Sequence, residues 1–220
     1  MNFQGNCIRL PSRGLCLLGL VCLFLQACIP QIFSSSNQRL VSLTREDLET
    51  HGIAFITPST VTGQEEEKQA VAGIFAEVLI KERPKLRCLT LPETLNAINQ
   101  ASFTNAYRTM YADYRDTGLF KRDVLQRIGE ATKTRYVVQL KLSGFGQGSS
   151  GRLNLFGLRL IETKQANIRL FCQIWDTWEG TIGWEGYEEM NYGVDTFTER
   201  NVSLKKILEI AAKNLVSRIP

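Results

Sequence analysis

The sequence predicts a single domain of the α/β or α+β class, with a mixed β-sheet and helices mainly on one face. Three observations support this fold class. In the first half of the chain, short apolar runs that suit buried strands alternate with amphipathic helical patterns, which favours parallel strands joined by helices. In the second half, longer strand-like runs follow one another, which favours an antiparallel meander. Hydrophobic residues make up 44% and charged residues 22% of the chain, as in ordinary globular proteins.

The N-terminal part of the chain is typical of an export signal. Two arginines, Arg9 and Arg13, precede an apolar run over residues 15–25 that is too short to span a bilayer comfortably. The run ends in Leu25-Gln26-Ala27-Cys28, which resembles the lipobox of bacterial lipoproteins. In that class the cysteine receives fatty acyl chains such as palmitate, and the chain is cut before it. An ordinary cleaved signal peptide and an N-terminal anchor helix are the alternatives.

The lipobox predicts three parts: a lipoprotein signal peptide over 1–27, a lipidated tether over 28–50 and one periplasmic domain over 51–220. Residues 29–44 are polar and lack an apolar period, which is typical of a flexible spacer. Several acyl chains at Cys28 would hold the protein on a membrane, since each buried CH₂ contributes about 0.8 kcal/mol. The formal net charge of +4 includes the signal arginines, so no nucleic-acid partner is expected.

The first predicted elements of the domain are a strand over residues 53–56 and a long helix. Thr62 and Glu65 have the spacing of a capping box, and apolar residues then recur every three or four positions until Pro84 ends the helix. A short strand over residues 86–89 follows. A second capping-box spacing comes directly after this strand and predicts a short helix. Its residues are Thr90 and Glu93.

An aromatic stripe at helical spacing comes next. Its members are Phe103, Tyr107, Met110, Tyr111 and Tyr114. A helix packed on the core is the simpler interpretation. The sharper one is a helix that presents Tyr107, Tyr111 and Tyr114 to a partner, since tyrosine is enriched at interfaces. Gly118 ends the pattern, and a further helix leads into a strand over residues 136–142.

The C-terminal part predicts a hairpin meander closed by a helix. Residues 143–151 carry four glycines and are expected to form a hairpin loop, because no capped helix follows to complete a phosphate-binding geometry. Strands are expected at 153–161, 166–178 and 182–192, and an amphipathic helix at 204–215.

Three tryptophans, Trp175, Trp178 and Trp184, lie around the last predicted hairpin, and Trp175 and Trp184 are the candidate contact residues. Core packing and cross-strand pairing are the default for such residues. A surface that stacks on sugars or contacts a protein is the alternative.

Catalysis is poorly supported, and no catalytic residue, metal or cofactor is predicted. His51 is the single histidine, so it cannot build a His-rich metal site, and a Ser-His-Asp triad would depend on it alone. Acidic pairs such as Glu188 and Glu189 are expected on solvated faces. After removal of the signal and acylation of Cys28, Cys88 and Cys172 remain. They would form either one disulfide or two buried free thiols.

Three stretches carry a resemblance to a known superfamily: the strand at 53–56 with its helix, residues 128–138, and residues 172–186. They resemble the lipoprotein superfamily that includes the curli-secretion channel subunit, outer-membrane activators of penicillin-binding proteins, and ring-forming lipoproteins of polysaccharide export. The resemblance implies a fold like the amino-terminal domain of TolB and a non-catalytic role. Thr134-Arg135 departs from the family's usual Gly-Asp or Ala-Asp. Residues 153–161 lack the alternation of a membrane-spanning strand, so a pore is not expected.

The main hypothesis is a periplasm-facing outer-membrane lipoprotein that serves envelope biogenesis or export by binding an envelope protein or by self-assembly, including assembly into a ring. The first alternative is a lipid-anchored hydrolase of cell-wall glycan that uses acidic residues. The second is a soluble-ligand binder that uses Trp175 and Trp184.

Overall fold

A computed structural model of the protein describes residues 30–155, 158–196 and 201–220. The described residues form one six-stranded mixed sheet and six helices, which confirms the α+β class. The strands are β1 (Gln31–Leu40), β2 (Ile53–Phe55), β3 (Cys88–Leu89), β4 (Tyr136–Leu155), β5 (Leu158–Asp176) and β6 (Thr181–Thr196). The helices are α1 (Arg45–His51), α2 (Glu65–Glu82), α3 (Leu91–Gln100), α4 (Thr104–Thr117), α5 (Arg122–Thr132) and α6 (Leu204–Val216). Cys28 and the predicted signal lie outside the described residues.

The sheet joins a parallel part to an antiparallel part in the order β1-β6-β5-β4-β2-β3. Strand β2 runs parallel to both of its neighbours, β3 and β4. The pairs β4–β5, β5–β6 and β6–β1 are antiparallel. The parallel strands come from the half of the chain where helical patterns separate the strands. The antiparallel hairpins come from the half predicted as a meander.

Helices cover both faces of the parallel part of the sheet, whereas the sequence predicted them mainly on one face. In β2, Ile53 and Phe55 pack in the core beneath α2 and α6. Ala54 and Ile56, the residue directly after β2, pack in a second core beneath α4 and α5. The reason is topological. The chain moves from β2 to β3 in one direction along the sheet and back to β4 in the other, and right-handed crossovers then place their helices on opposite faces.

The segment predicted as a flexible tether is ordered in the structure. Residues 31–40 form β1, which pairs with β6 over ten residues. Residues 45–51 form α1, whose first turn is capped by Thr44, since the Thr44 hydroxyl oxygen accepts the Asp47 N–H at 3.1 Å. Almost every side chain of β1 is exposed, so the strand has no apolar period in its sequence. Backbone pairing with β6 forms it.

The glycine-rich stretch 143–151 is also a strand rather than a loop. It continues β4 as one arm of a long hairpin with β5, after a register shift between Leu142 and Gly144. The expected strand over 153–161 is instead divided between the end of β4 at Leu155 and the start of β5 at Leu158. Glycine is a poor strand former, and here cross-strand hydrogen bonds override that preference.

One predicted capping box is present and the other is replaced. Glu93 accepts hydrogen bonds from the Thr90 N–H and hydroxyl, each at 2.7 Å. The hydroxyl of Thr62 donates to Glu67 at 2.7 Å, not to Glu65, and α2 begins after Gln64. The expected helix therefore forms with a different cap.

Cys88 and Cys172 are free thiols. They lie in β3 and β5, with β2 and β4 between them. Three strand spacings amount to about 14 Å, and a disulfide needs Cα atoms within about 7 Å. The question that the sequence left open is settled by the order of the strands.

Candidate binding pocket

A cavity of about 840 Å³ lies at the carboxyl end of β2. Its walls come from the loop after β2, from α4, and from the neighbouring part of β4 around Lys141. In sheets with parallel strands, the carboxyl end of a strand whose two neighbours are reached by opposite crossovers leaves a crevice that commonly receives ligands. The position of β2 between β3 and β4 creates this geometry here.

The loop after β2 is tied to β4, which fixes one wall of the pocket. The Ser59 N–H donates to the Leu140 carbonyl at 2.9 Å, and the Ser59 carbonyl accepts from the Leu142 N–H at 2.8 Å. Pro58 interrupts the preceding strand, since proline lacks the N–H that a ladder requires. The loop therefore runs along β4 before it turns into α2.

A chain of three hydroxyl groups connects this loop to α4. The Tyr107 hydroxyl accepts the Thr57 N–H at 3.0 Å. The same oxygen lies 3.0 Å from Thr57 Oγ1 and 3.1 Å from the Tyr111 hydroxyl oxygen. Three hydroxyls carry three protons and these two contacts use two of them, so one proton, on Thr57 or Tyr111, remains available. Burial raises the pKa of Tyr107, and raises that of Tyr111 further, so both phenols stay neutral near pH 7.

The tyrosine stripe of α4 serves both the core and the pocket. The Tyr114 ring stacks on Phe120 with centroids 4.2 Å apart, and Phe120 in turn meets Trp175 edge-on at 5.1 Å. The Tyr114 hydroxyl donates to Gln173 Oε1 at 3.0 Å. Tyr107, Tyr111 and Tyr114 all line the cavity. The two interpretations of the stripe are therefore compatible, because the rings pack inward while their edges form the wall.

The pocket wall is basic. Its charged members are Lys68, Arg108, Arg115 and Lys141, and no aspartate or glutamate of the described residues lines it. Arg108 and Lys141 are exposed and form no ion pair with any described residue. Helix α2 contributes Lys68, α4 contributes both arginines, and β4 contributes Lys141. No local pattern in the sequence brings these cations together.

The structure corrects the expectation that Trp175 and Trp184 form a contact surface. Their exposed fractions are 2% and 0%, so neither ring can stack on a ligand. Trp175 packs in the core under α4 and α5, and Trp184 in the core under α2 and α6. The default interpretation, core packing, is the one observed.

The exposed tryptophan is Trp178, the one of the three that was not among the predicted contact residues. Its exposed fraction is 49%. The guanidinium of Arg135 lies 4.5 Å from the ring centroid, and His51 meets the ring edge-on at 5.1 Å. These three residues line a second cavity of about 590 Å³. The position of Trp178 directly before the Glu179-Gly180 turn was the available signal, since turn tips face solvent.

The acidic side chains do not form a catalytic pair in either cavity. The expectation of a solvated face is wrong for Glu188, which is buried and accepts from Asn214 Nδ2 at 2.8 Å and from the Ser36 hydroxyl. Glu189 is exposed and pairs with Arg169 at 2.9 Å. Of the residues that the structure describes, Glu130 is the one carboxylate lining the second cavity. Within the described ranges, no group of three or more His, Cys, Asp or Glu residues could hold a metal ion. No helix in the same part of the chain is long and apolar enough to cross a bilayer.

Comparison with known proteins gives loose structural likenesses. No family model matches the chain, and no curated protein matches it. Solved structures of similar fold include a PelC dodecamer from Paraburkholderia phytofirmans, at 10% identity and a TM-score of 0.45, covering 85% of this chain and 97% of that one. Lipoprotein GNA1162 from Neisseria meningitidis is similar at 11% identity and a TM-score of 0.38, covering 77% and 97%.

A third similar structure is a PDZ domain protein from Parabacteroides distasonis, at 10% identity and a TM-score of 0.35. It covers 93% of this chain and 40% of that one. At these scores, no residue of the pocket is carried over from the neighbours.

Proposed function

We propose that the protein is a lipid-anchored, periplasm-facing outer-membrane lipoprotein that works without catalysis, as a binding and assembly component in envelope biogenesis or export. The observation that carries the proposal is the open edge of the sheet at β1, where Ile32, Phe33 and Leu40 are exposed. The lipobox predicts the anchor at Cys28, and the position of β1 places that anchor beside the sheet.

The position of β1 brings the proposed anchor next to the folded domain. Strand β1 begins at Gln31, three residues after Cys28. Three residues span at most about 10 Å even when fully extended. An acylated Cys28 would therefore hold the edge of the sheet at the membrane surface, without a long spacer between them. Ile29, in place of aspartate after the cysteine, is what outer-membrane sorting in enteric-type bacteria would require.

Strand β1 has the properties of a strand that pairs with another chain. It is ten residues long and lies at the end of the sheet, where no other described strand pairs with its outer edge. It contains neither lysine nor proline, the residues that usually protect such edges. Phe33 is 69% exposed, and Ile32 and Leu40 are exposed as well. A second copy of this chain is the partner that we propose for this edge.

The opposite edge of the sheet limits how copies can join. Strand β3 has two residues, Cys88 and Leu89, so it cannot offer a ten-residue ladder. Two copies can pair β1 with β1 in a closed dimer, or β1 can pack on a different surface of the next copy. The second arrangement is the one that builds rings.

The anchor is tested by replacing Cys28 with alanine and fractionating cells. We expect the variant to leave the membrane fraction and appear among soluble proteins, because its acyl chains are lost. Mass spectrometry of the unaltered protein should show an acylated N-terminal cysteine. A variant that stays fully bound to membranes contradicts the anchor.

Assembly is tested by sedimentation of the full chain in detergent, with Phe33→Glu as the perturbing variant. A buried charge at a strand edge opposes pairing, so we expect the assembled species to fall to monomer. Leu119→Glu is the matched control, because Leu119 is 63% exposed and lies outside β1. Equal assembly in both variants would exclude the β1 edge as the contact.

The alternative of a glycan hydrolase has no supporting observation. A glycosidase needs two carboxylates about 5–9 Å apart across a cleft. Neither cavity described above is lined by such a pair. Turnover of a glycan by the purified protein would contradict the non-catalytic proposal.

A further inference from the structure

We infer that the pocket at the end of β2 binds an acidic saccharide, holding its carboxylate or phosphate group with Arg108 and Lys141. The pocket is separate from the β1 edge, which lies at the far end of the sheet. The inference therefore does not depend on the proposed anchor or on assembly.

The cavity carries positive charge that no described carboxylate compensates. Arg108 and Lys141 come from different elements, face one cavity and have no carboxylate partner among the described residues. Two further cations are only loosely paired: Lys68 lies 3.9 Å from Glu65, and Arg115 contacts its exposed neighbour Asp116. Surface pairs of this kind contribute little, so they would release their cations to a bound anion.

The two carboxylates at the start of α2 that lie nearest in sequence to Lys68 are engaged with neighbours on their own segment. Glu67 accepts from the Thr62 hydroxyl at 2.7 Å. Glu65 accepts from Gln69 Nε2 at 2.9 Å, one turn along α2. Both side chains are held at the start of the helix rather than lining the cavity. The cavity wall therefore carries positive charge alone.

The hydroxyl groups of the wall favour a sugar as the scaffold of the anion. The hydroxyl chain of Thr57, Tyr107 and Tyr111 has one unused proton and several unused lone pairs. Ser59 Oγ accepts from Gln139 Nε2 at 3.3 Å, which leaves the Ser59 proton free as well. Such walls both donate and accept, as sugar hydroxyls require. A small inorganic ion would leave most of the 840 Å³ cavity unfilled.

The test is calorimetric titration of the full chain in detergent with three probes. Tetragalacturonate presents carboxylates, glucose 1-phosphate presents a phosphate, and maltotetraose is uncharged. We expect an acidic probe to bind, with an affinity that falls as ionic strength rises. Preference between the two acidic probes identifies the recognised group. Binding of maltotetraose as tightly as the acids, or no binding of either acid, overturns the inference.

The double variant Arg108→Gln and Lys141→Gln locates the site. Loss of two charge-assisted hydrogen bonds should weaken binding about tenfold or more. The control is Lys206→Gln with Arg218→Gln, which removes the same charge from exposed residues in and after α6. Equal weakening in both double variants would show long-range attraction instead of a site. Circular dichroism confirms that each variant is folded.

The outcome is distinguishable from failure of the proposed function. Titration in detergent does not require the anchor, and neither Arg108 nor Lys141 lies in β1. If the protein assembles and is anchored but binds neither acidic probe, the result contradicts this inference and leaves the proposed function standing.

Discussion

Two helical glycines provide a matched test of how α5 is seated in the fold. Gly129 lies in α5 against the β5–β6 turn and the start of β4. A Cβ added there would overlap Thr177 Oγ1 and would lie 3.0 Å from the Thr134 carbonyl oxygen. Gly73 lies in the middle of α2, and a Cβ added to it would have no neighbour within 4 Å. We therefore compare Gly129→Ala with Gly73→Ala.

The two substitutions are expected to change the free energy of unfolding in opposite directions. Alanine is favoured over glycine inside a helix by about 0.5–1 kcal/mol, and both variants receive this gain. Overpacking at position 129 costs about 1–3 kcal/mol, because Thr177 is fully buried and the Thr134 carbonyl belongs to the backbone. The net expectation is a loss of up to about 2.5 kcal/mol for Gly129→Ala and a gain of about 0.5–1 kcal/mol for Gly73→Ala.

Urea unfolding followed by tryptophan fluorescence measures both changes, since Trp175 and Trp184 are buried in the native state. For a chain of this length, each kcal/mol corresponds to about 2–4 °C in Tm. If the Gly129→Ala protein has the same free energy of unfolding as the Gly73→Ala protein, α5 does not pack closely on the β5–β6 turn at Gly129. The comparison removes helix propensity from the result, because both sites share it.

Two further predictions concern the thiols and the second capping box. In native mature protein at pH 8, iodoacetamide should leave the buried Cys172 unlabelled and label the half-buried Cys88 slowly, because burial raises the pKa of the Cys88 thiol to about 12 and raises that of Cys172 as well. Labelling of both thiols as fast as in the unfolded protein would contradict this burial. Thr90→Ala should lower the free energy of unfolding by about 1 kcal/mol at pH 7. Hydrogen bonds from Thr90 hold the pKa of Glu93 below its ordinary value, so the difference is present above the unfolded-state pKa and shrinks as pH falls through the folded-state pKa. An undiminished difference in acid would refute the role of Glu93.

The elements found from the sequence are those with a signal within a few neighbouring residues. The apolar period of α2, the left-handed Gly118 after α4 and the Thr90–Glu93 box are local, and each is present in the structure. Strand β1 has no such signal, since its side chains are exposed on both faces. The cross-strand partner decides whether such a segment is a spacer or a strand.

The candidate pocket shows the same division. The tyrosine stripe of α4 was visible as a pattern, and Tyr107, Tyr111 and Tyr114 do line the cavity. The tryptophans were visible too, but the pattern of the last hairpin did not reveal which of them would be covered. Helices α4 and α5 pack over Trp175, and Trp178 stays exposed at the turn.

The sequence by itself determined the α+β class, the order of most elements and the lipobox prediction, because each rests on residues close together along the chain. Three features were decided by the tertiary structure alone. Strand β1 forms one edge of the sheet, Cys88 and Cys172 lie too far apart for a disulfide, and Arg108 and Lys141 face one cavity. Those facts depend on contacts between residues far apart in sequence, such as Thr57 with Tyr107, fifty positions away. Folding sets such distances through packing and strand pairing, and no local pattern encodes them.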